Sequence, residues 1–506
     1  MANRQLRVMY VFVHCRFKVY CVALNKVVLS FIHHRSRVVK WGIAFGQSLE
    51  RNATPERRLK LRKFPYSNNP IETFLNLSKR NDYCYLLESA EGPRKLAQYS
   101  FIGFSPDIVI QTKNHKYTQL SREDTSTFDT EDPFKNLREA LVKGFTPYRG
   151  FRFVGGMVGY FSYDAARYLE SLPDNSMDDL GLPDLEFGVY NDGIVFDHLT
   201  GQAYYYWYDE NRVREVENCR NTRGHADELI AKNLRLNLRQ EEFEENVCTA
   251  KDYVRAGDIF QVVLSKRFQF TFKGDLINFY RALREINPSP YMYFLKMGDK
   301  AIVGSSPEML GRVDGTSAET FPIAGTRPIG KNRVEDRALS KELLSDPKER
   351  AEHVMLIDLA RNDLGKVCEY GTITVPEFMS IQKYSHVQHI VSRVAGRLKR
   401  GSDAIDVFKA IFPAGTVSGA PKKRAMEIID ELEPHHRGPY AGAVGYFSYN
   451  GNADFAITIR TLIASHDRGF IQAGAGIVAD SDPTREWFET EHKADALLHA
   501  LRLRGG

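Results

Sequence analysis

Cysteine is scarce in this chain. Six occur in 506 residues, at Cys15, Cys21, Cys84, Cys219, Cys248 and Cys368, and none forms a Cys-x-x-Cys pair. That usage excludes a disulfide scaffold and fits free thiols in a reducing compartment. Long apolar runs are missing too. None approaches the roughly 20 residues that span a bilayer, and Arg16, Lys18, Lys26 and His33-His34 interrupt the N-terminal ones. Acid is absent from residues 1–49, which hold eight Lys or Arg and no Asp or Glu. Setting those eight positive charges aside turns the net charge of +5 into −3 for the rest of the chain. A body of that sign is not a nucleic-acid binder by charge. A basic, acid-free leader has the charge of an organelle transit peptide. This one is poor in Ser and strand-like in its Val, Phe and Tyr content. The expectation is therefore a basic extension over 1–65, disordered or wrongly assigned, on a cytoplasmic protein, with targeting the lesser alternative.

What is present reads as an ordinary globular protein long enough for a large core. Tyr83–Leu87 reads as a buried strand, 113–132 as a polar, turn-rich stretch, and 209–250 as a charged helical connection. Beyond it, strand-like runs (259–264, 301–303, 455–459) alternate with helical segments at 335–366, 402–412 and 484–502. Mixed order of this kind predicts an α+β fold, an α/β sandwich, rather than a purely parallel sheet. Gly155-Gly-Met-Val-Gly-Tyr-Phe-Ser-Tyr-Asp164 has a near copy in Gly442-Ala-Val-Gly-Tyr-Phe-Ser-Tyr-Asn450. The repeat predicts two equivalent strand edges in a fold with internal pseudo-symmetry.

Two stretches each carry glutamates three residues apart behind an Asp-Pro: Asp346-Pro with Glu349 and Glu352, and Asp482-Pro with Glu486 and Glu489. A spacing of three puts each pair on one helix face. One such pair alone is an ordinary solvated face. Two faces turned toward each other would gather four carboxylates, a cost that a cation between them removes. Oxygen ligands in small number point to Mg²⁺, completed by waters and an anionic substrate. The turn Gly325-Thr326-Arg327 offers a backbone N–H, a hydroxyl and a guanidinium to a carboxylate. The glycines of Gly474-Ala475-Gly476 let backbone amides approach an anion; no helix with the right start follows, so a dinucleotide fingerprint is disfavoured. Gly415-Thr-Val-Ser-Gly419-Ala-Pro-Lys422 lacks the Gly-Lys-Ser/Thr ending of a P-loop. Arg460 closes a strand, as a solvated end or a second carboxylate anchor. His386 and His389, three apart, invite a zinc reading without a Cys partner.

Taken in order, these elements resemble the chorismate-utilising enzymes, and within them the large subunits (component I) of anthranilate synthases. The resemblance runs from about Tyr83 to Leu503. It rests on Leu86-Leu-Glu-Ser89, Gly257-Asp-Ile-Phe-Gln-Val-Val-Leu-Ser265, Asn287-Pro-Ser-Pro-Tyr-Met-Tyr-Phe294 and Ser305-Ser-Pro-Glu308. Ala324-Gly-Thr-Arg327, Asp358-Leu-Ala-Arg-Asn-Asp-Leu-Gly365, His386-Val-Gln-His-Ile-Val-Ser392, Pro413–Lys422 and 486–493 complete it. The implied fold is two packed, mainly antiparallel sheets with helices on their outer faces. The implied regions are 66–208, carrying the tryptophan motif, a connection at 209–245, and a chorismate-binding catalytic region at 246–503.

The resemblance implies conversion of chorismate and ammonia to anthranilate and pyruvate, with Mg²⁺ as cofactor. Relatives that add water carry a lysine base where this chain has Gln261, and relatives that make aminodeoxychorismate carry a nucleophilic lysine where it has Ala324. A methyl group cannot attack anything, so the ammonia-using, aromatising member is the one that fits; aminodeoxychorismate synthase and a non-catalytic amino-acid-binding regulator are the alternatives. By the same resemblance, Glu352 and Glu489 would ligate the metal and Glu349 and Glu486 would hold its waters. Glu308 would be the general acid, with His389, Thr416 and Gln261 completing the catalytic set. Gly325, Thr326, Tyr440, Arg460, Gly474, Ala475, Gly476 and Lys493 would hold the substrate. Tryptophan, the feedback inhibitor, would meet Glu88 and Ser89 at its amino group and Pro290, Tyr291, Met292 and Tyr446 around its body. Gln98 stands where relatives often carry Arg. No Gly-x-Cys-x-Gly elbow of a glutaminase occurs, so use of glutamine implies a separate glutaminase subunit. No nucleic-acid or membrane partner is expected.

Overall fold

The computed structural model describes residues 57–502, apart from 66–69, 90–97, 142–144, 146–147, 149, 221–223 and 385–386. Most of the basic extension thus lies outside the described residues. Its end does not: Lys60–Pro65 is a strand paired antiparallel with Gln202–Trp207, with Phe64 buried. The extension expected to reach residue 65 therefore stops short of Lys60.

Two antiparallel sheets of 12 strands each make the core. The first runs in space through Lys60–Pro65, Gln202–Trp207, Asp192–Asp197, Tyr99–Phe104, Tyr83–Glu88, Tyr291–Met297, Lys300–Ser306, Thr461–Ser465, Arg468–Ile477, Gln261–Lys273 and Ile230–Leu236. The second runs through Ile323–Pro328, Val387–Arg397, Ser317–Thr320, Met309–Asp314, Ala453–Ile457, Ala443–Ser448, Gly156–Phe161, Leu185–Tyr190, Ile108–Lys113, Lys116–Ser121 and Thr125–Asp129. Each has one further strand off this path. Between the sheets lies an aromatic layer that includes Tyr85, Phe101, Phe153, Tyr160, Tyr293 and Tyr446. Helices cover the outer faces, as expected: Pro70–Ser78 and Ile277–Ile286 bury Phe74, Phe279 and Tyr280 against the first sheet. Pro133–Ala140 and Ala404–Ile411 bring Phe134 and Phe408 onto Phe161 of the second.

Both sheets draw strands from before and after residue 209, so 66–208 and 246–503 are halves of one sandwich. The repeated Val-Gly-Tyr-Phe-Ser-Tyr segments are not edges. They are the two neighbouring central strands Gly156–Phe161 and Ala443–Ser448, and Gly159 sits directly opposite Gly445. A local two-fold through that glycine pair relates the halves. Tyr83 bonds Glu186 at 3.0 Å as Tyr291 bonds Asp454 at 3.0 Å. Gln111 reaches Glu186 as Arg312 reaches Asp454, both at 2.8 Å. Both central glycines are needed: a Cβ at Gly159 would overlap the Glu186 carbonyl oxygen, and one at Gly445 that of Asp454. Gly445→Ala is accordingly expected to cost about 2–3 kcal/mol of stability through overpacking. A urea midpoint equal to that of the parent protein would contradict this.

Three further expectations change. The stretch 113–132 forms the antiparallel strands Lys116–Ser121 and Thr125–Asp129, a polar hairpin at the sheet edge that buries Tyr117 and exposes all of its outer strand. The connection over 209–250 is helix Val213–Arg220, strand Ile230–Leu236 and helix Gln240–Ala256. The strand is a charged edge, where Lys232 and Arg235 discourage further pairing. The long helix at 335–366 is two, Arg333–Ser345 and Pro347–Gly365, because Pro347 cannot donate the backbone bond that would join them. Both Asp-Pro signals hold. Asp346 and Asp482 cap their helices, with Pro at the first position. No helix of the described residues is long and apolar enough to cross a membrane.

Candidate active site

The two capped helices, Pro347–Gly365 and Pro483–Ala500, carry the four glutamates. Glu352 is held above the usual carboxylate range by burial, then by repulsion from Glu349 and, across the gap between the helices, from Glu489. Glu486 is raised by burial and by Glu489, while the Ser481 hydroxyl works the other way. The faces therefore do meet. Compensation is partial: Arg327 Nη1 lies 3.3 Å from Glu349, Lys493 Nζ lies 2.7 Å from Glu489, and the Gln261 amide eases Glu352. A set of carboxylates that raise one another's proton affinity is a donor set suited to a hard dication.

From the glutamates the contacts close into a ring. Gly325, at φ +66°, packs on Glu349, where a Cβ would meet Oε2 at 3.0 Å. Its carbonyl faces His389 Nδ1 at 2.8 Å, and Thr326 Oγ1 is 3.2 Å from the same nitrogen. That carbonyl can only accept, so Nδ1 carries the proton and Nε2 keeps its lone pair. Burial and the nearby Arg460 guanidinium push His389 down, which keeps the ring neutral. Arg460, half-buried at a strained φ of +49°, faces Glu308. Burial raises the Glu308 carboxyl to about 7, against the opposing pull of Thr416, Lys493 and Arg460. Thr416 Oγ1 is buried, makes no hydrogen bond of good geometry, and lies close enough to ease that shift. Lys493 Nζ donates to Gly474 O at 2.9 Å. A Cβ at Gly474 would meet Tyr440 Oη at 2.8 Å, and one at Gly476 would meet Gln261 Nε2 at 2.6 Å. Gln261 in turn bonds Glu352 and closes the circuit, while Ala475, between the two glycines in strand Arg468–Ile477, turns its methyl into the core on the other face.

The catalytic, metal and substrate residues expected from the sequence thus lie around one ring, Ala475 through its backbone alone. Arg327 does not serve a ligand. Its guanidinium spans Glu342, Asp346 and Glu349 at 2.9, 3.1 and 3.3 Å, tying the turn to both neighbouring helices. His386 lies outside the described residues. Two contacts were not anticipated: Asn287 Oδ1 accepts from Arg460 Nη1 at 3.1 Å, and the Tyr384 ring lies 5.5 Å from that of His389. Asn287 opens the quoted Asn-Pro-Ser-Pro motif, which is the one sequence signal that marked it. Among the described residues, only Asp174, Asp430 and His436 bring metal-type donor atoms within 4.8 Å of one another. Arg167 lies 2.6 Å from Asp430 in that group, so it reads as an ion-pair network.

A second cleft, of about 520 Å³, is lined by Ser89, Pro290, Tyr291, Tyr446 and others between the sheets. Glu88 and Met292 border it but turn away, because side chains alternate along a strand. The Glu88 carboxylate accepts from Tyr280 Oη at 2.9 Å and from Arg284 Nε and Nη2 at 3.0 Å each. Met292 packs in the outer cluster beneath the same helix. Glu88 is therefore not placed to meet an amino group in the cleft, contrary to expectation; Ser89, one residue on, faces the other way.

A duplicated antiparallel sandwich with a carboxylate-lined anion site defines the class, and comparison with known proteins agrees. Residues 114–499 match the family model described as chorismate binding enzyme, and the chain belongs to that family. Among curated proteins it is 49% identical over 436 residues to the anthranilate synthase component 1 of Methanothermobacter thermautotrophicus, covering 86% of this chain and 93% of that protein. The Aquifex aeolicus protein of the same name is 46% identical over 459 residues, covering 86% and 93%. Among solved structures, anthranilate synthase component I from Streptococcus pneumoniae superposes with a TM-score of 0.72 at 38% identity, over 80% of this chain and 93% of that one. The menaquinone-specific isochorismate synthase of Escherichia coli, 19% identical, shares the fold with a TM-score of 0.68 over 90% and 98%.

Proposed function

We propose that this chain converts chorismate and ammonia to anthranilate, pyruvate and water. The observation that carries the reading is a buried carboxyl, Glu308, raised to about 7, and an imidazole, His389, held on Gly325 O with its Nδ1 proton, both close to Arg460. Two cations, Arg460 and Lys493, await a dianionic substrate. With Arg460 on one carboxylate and the Gly474–Gly476 backbone and Lys493 near the other, the ring is held between Glu308 and His389. Ammonia forms the C2–N bond as the C4–O bond breaks, and Glu308 protonates the departing hydroxyl to water. His389 Nε2 then takes the C2 proton; the C3–O bond breaks, pyruvate leaves and the ring becomes aromatic.

Mg²⁺ is part of this proposal. Glu352 and Glu489 would hold it, with Glu349 and Glu486 on its waters, and when bound it supplies a Lewis acid and an anchor for the ring carboxylate. Gln261 replaces the base needed to activate water, which supports ammonia as the nucleophile. Ammonia would come from a separate glutaminase subunit, and tryptophan would bind the second cleft against Ser89, Tyr291 and Tyr446.

The test is anthranilate fluorescence from chorismate, ammonium and Mg²⁺. Product is expected without glutamine or a second subunit. Folded protein that yields none ends the reading, and aminodeoxychorismate as the accumulating product would move it to the neighbouring activity.

A further inference from the structure

Both polar contacts that the His389 imidazole makes among the described residues fall on one nitrogen. Nδ1 meets Gly325 O at 2.8 Å and Thr326 Oγ1 at 3.2 Å. A ring pinned at one corner can still tilt about that corner. The direction of Nε2, the nitrogen with the lone pair, is then set by what packs against the ring. Tyr384 packs there, its ring centroid 5.5 Å from that of His389 and its plane turned by 63°. An edge-to-face pair of this kind prefers a defined distance and angle.

Strand phase puts the tyrosine in place. Strands Thr374–Lys383 and Val387–Arg397 pair antiparallel, with Gln382 opposite His389 and Lys383 opposite Gln388. Tyr384 N–H donates to Val387 O at 2.9 Å, which carries the pairing one residue further. Side chains alternate along a strand, so Gln382, Tyr384 and His389 share one face. On that face Tyr384 is the diagonal neighbour of His389, within reach for an aromatic ring. The other face is braced. Gln388 is fully buried, donates to Pro328 O at 3.0 Å and accepts from Ser340 Oγ, and Lys383 pairs with Asp336. Ser340 and Asp336 both lie on helix Arg333–Ser345. The hairpin is thus held by a helix on one side and presents Tyr384 to the site on the other. Tyr384 also acts on the charge of Arg460. The groups that act on Glu308 are Thr416, Lys493 and Arg460.

We propose that Tyr384 is the positioning residue for His389 in the second half of the reaction, aiming Nε2 at the C2 proton. This rests on the reading of the chain as converting chorismate and ammonia to anthranilate with His389 as base. In that half His389 takes the proton from C2, the C2–H electron pair completes the aromatic ring, and the C3–O bond breaks. The departing enolate takes up one proton from water to become pyruvate, and His389 returns its own proton to solvent. The first half, in which ammonia adds and Glu308 protonates the leaving hydroxyl, makes no use of Nε2. Loss of the tyrosine ring therefore slows the second half and spares the first.

The experiment compares the parent chain with Tyr384→Phe, Tyr384→Leu and Tyr384→Ala, each checked for parental thermal stability. Single turnovers with chorismate, ammonium and Mg²⁺ are quenched and resolved by mass. Loss of chorismate reads the first half, anthranilate reads the second, and the difference is the amino adduct between them. In Tyr384→Ala, anthranilate is expected to form from the adduct about ten- to hundredfold more slowly, the order that a small misplacement of a reacting group costs, with loss of chorismate within about threefold. The adduct, its hydroxyl lost and its enolpyruvyl ether intact, accumulates. Tyr384→Leu gives the same pattern, and Tyr384→Phe, which keeps the ring, behaves as the parent. Equal slowing of both halves in a stable variant overturns the positioning role, as does an adduct that never accumulates. Tyr384→Phe matching Tyr384→Ala overturns it too, because the hydroxyl and not the ring would then be what matters. Parent protein that makes no anthranilate removes the reading of the reaction instead, before any variant is needed.

Discussion

Glutamine at position 308 is expected to lower kcat by roughly two to four orders of magnitude, the range attributed to general acid catalysis. The side chain keeps its size and loses only the acidic proton. Its pH signature separates this from a structural defect. Burial raises Glu308 to about 7, and a general acid works in its protonated form. In the parent protein kcat/KM should therefore be flat below about 7 and fall tenfold per pH unit above it. Ammonia gains its free-base form as pH rises, so the profile must be taken at constant free NH3. In Glu308→Gln the falling limb should vanish. A variant that keeps it would assign the limb, and the acid, to another group.

The second large effect is on the metal. Glu352→Gln and Glu489→Gln each remove a proposed direct ligand, and each is expected to weaken Mg²⁺ binding by at least about 100-fold. Glu349→Gln and Glu486→Gln should cost about 10–100-fold, as groups that act through bound waters do. Calorimetric titration of Mg²⁺ with chorismate present reads this independently of turnover. Equal losses across all four would remove the division into inner and outer carboxylates.

The glutamate site was unusually legible. Asp-Pro fixes where each helix starts, and a spacing of three fixes which side chains share a face, so local rules sufficed. What local rules could not supply was the distance between the two helices. That depends on how the two sheets pack, since Pro347–Gly365 rests on Ile323–Pro328 and Val387–Arg397 of the second sheet and Pro483–Ala500 on Arg468–Ile477 of the first. The orientation of Glu88 was misread because a motif names residues without their strand phase; alternation puts Ser89, not Glu88, on the cleft side. The hairpin at 116–129 was missed because it buries little, so its sequence lacks the apolar alternation by which strands are read. The contact of Asn287 with Arg460 had no local signal beyond its motif, since Arg460 lies 173 residues away, just before strand Thr461–Ser465.

The duplicated sandwich has two of every position, yet only one copy carries the residues proposed for chemistry. Strand register places Asp107 where the other half has Glu308, and Asp192 where it has Arg460. The silent copy thus presents an acid where an anionic substrate needs a cation, and Arg212 already occupies that acid. The counterpart of the second cleft is smaller, about 210 Å³ against about 520 Å³, and the Lys300 ammonium on its wall is held 3.0 Å from Glu186. The chain is built as a dimer within one polypeptide, with one protomer keeping the candidate ring and the larger cleft and the other serving as scaffold.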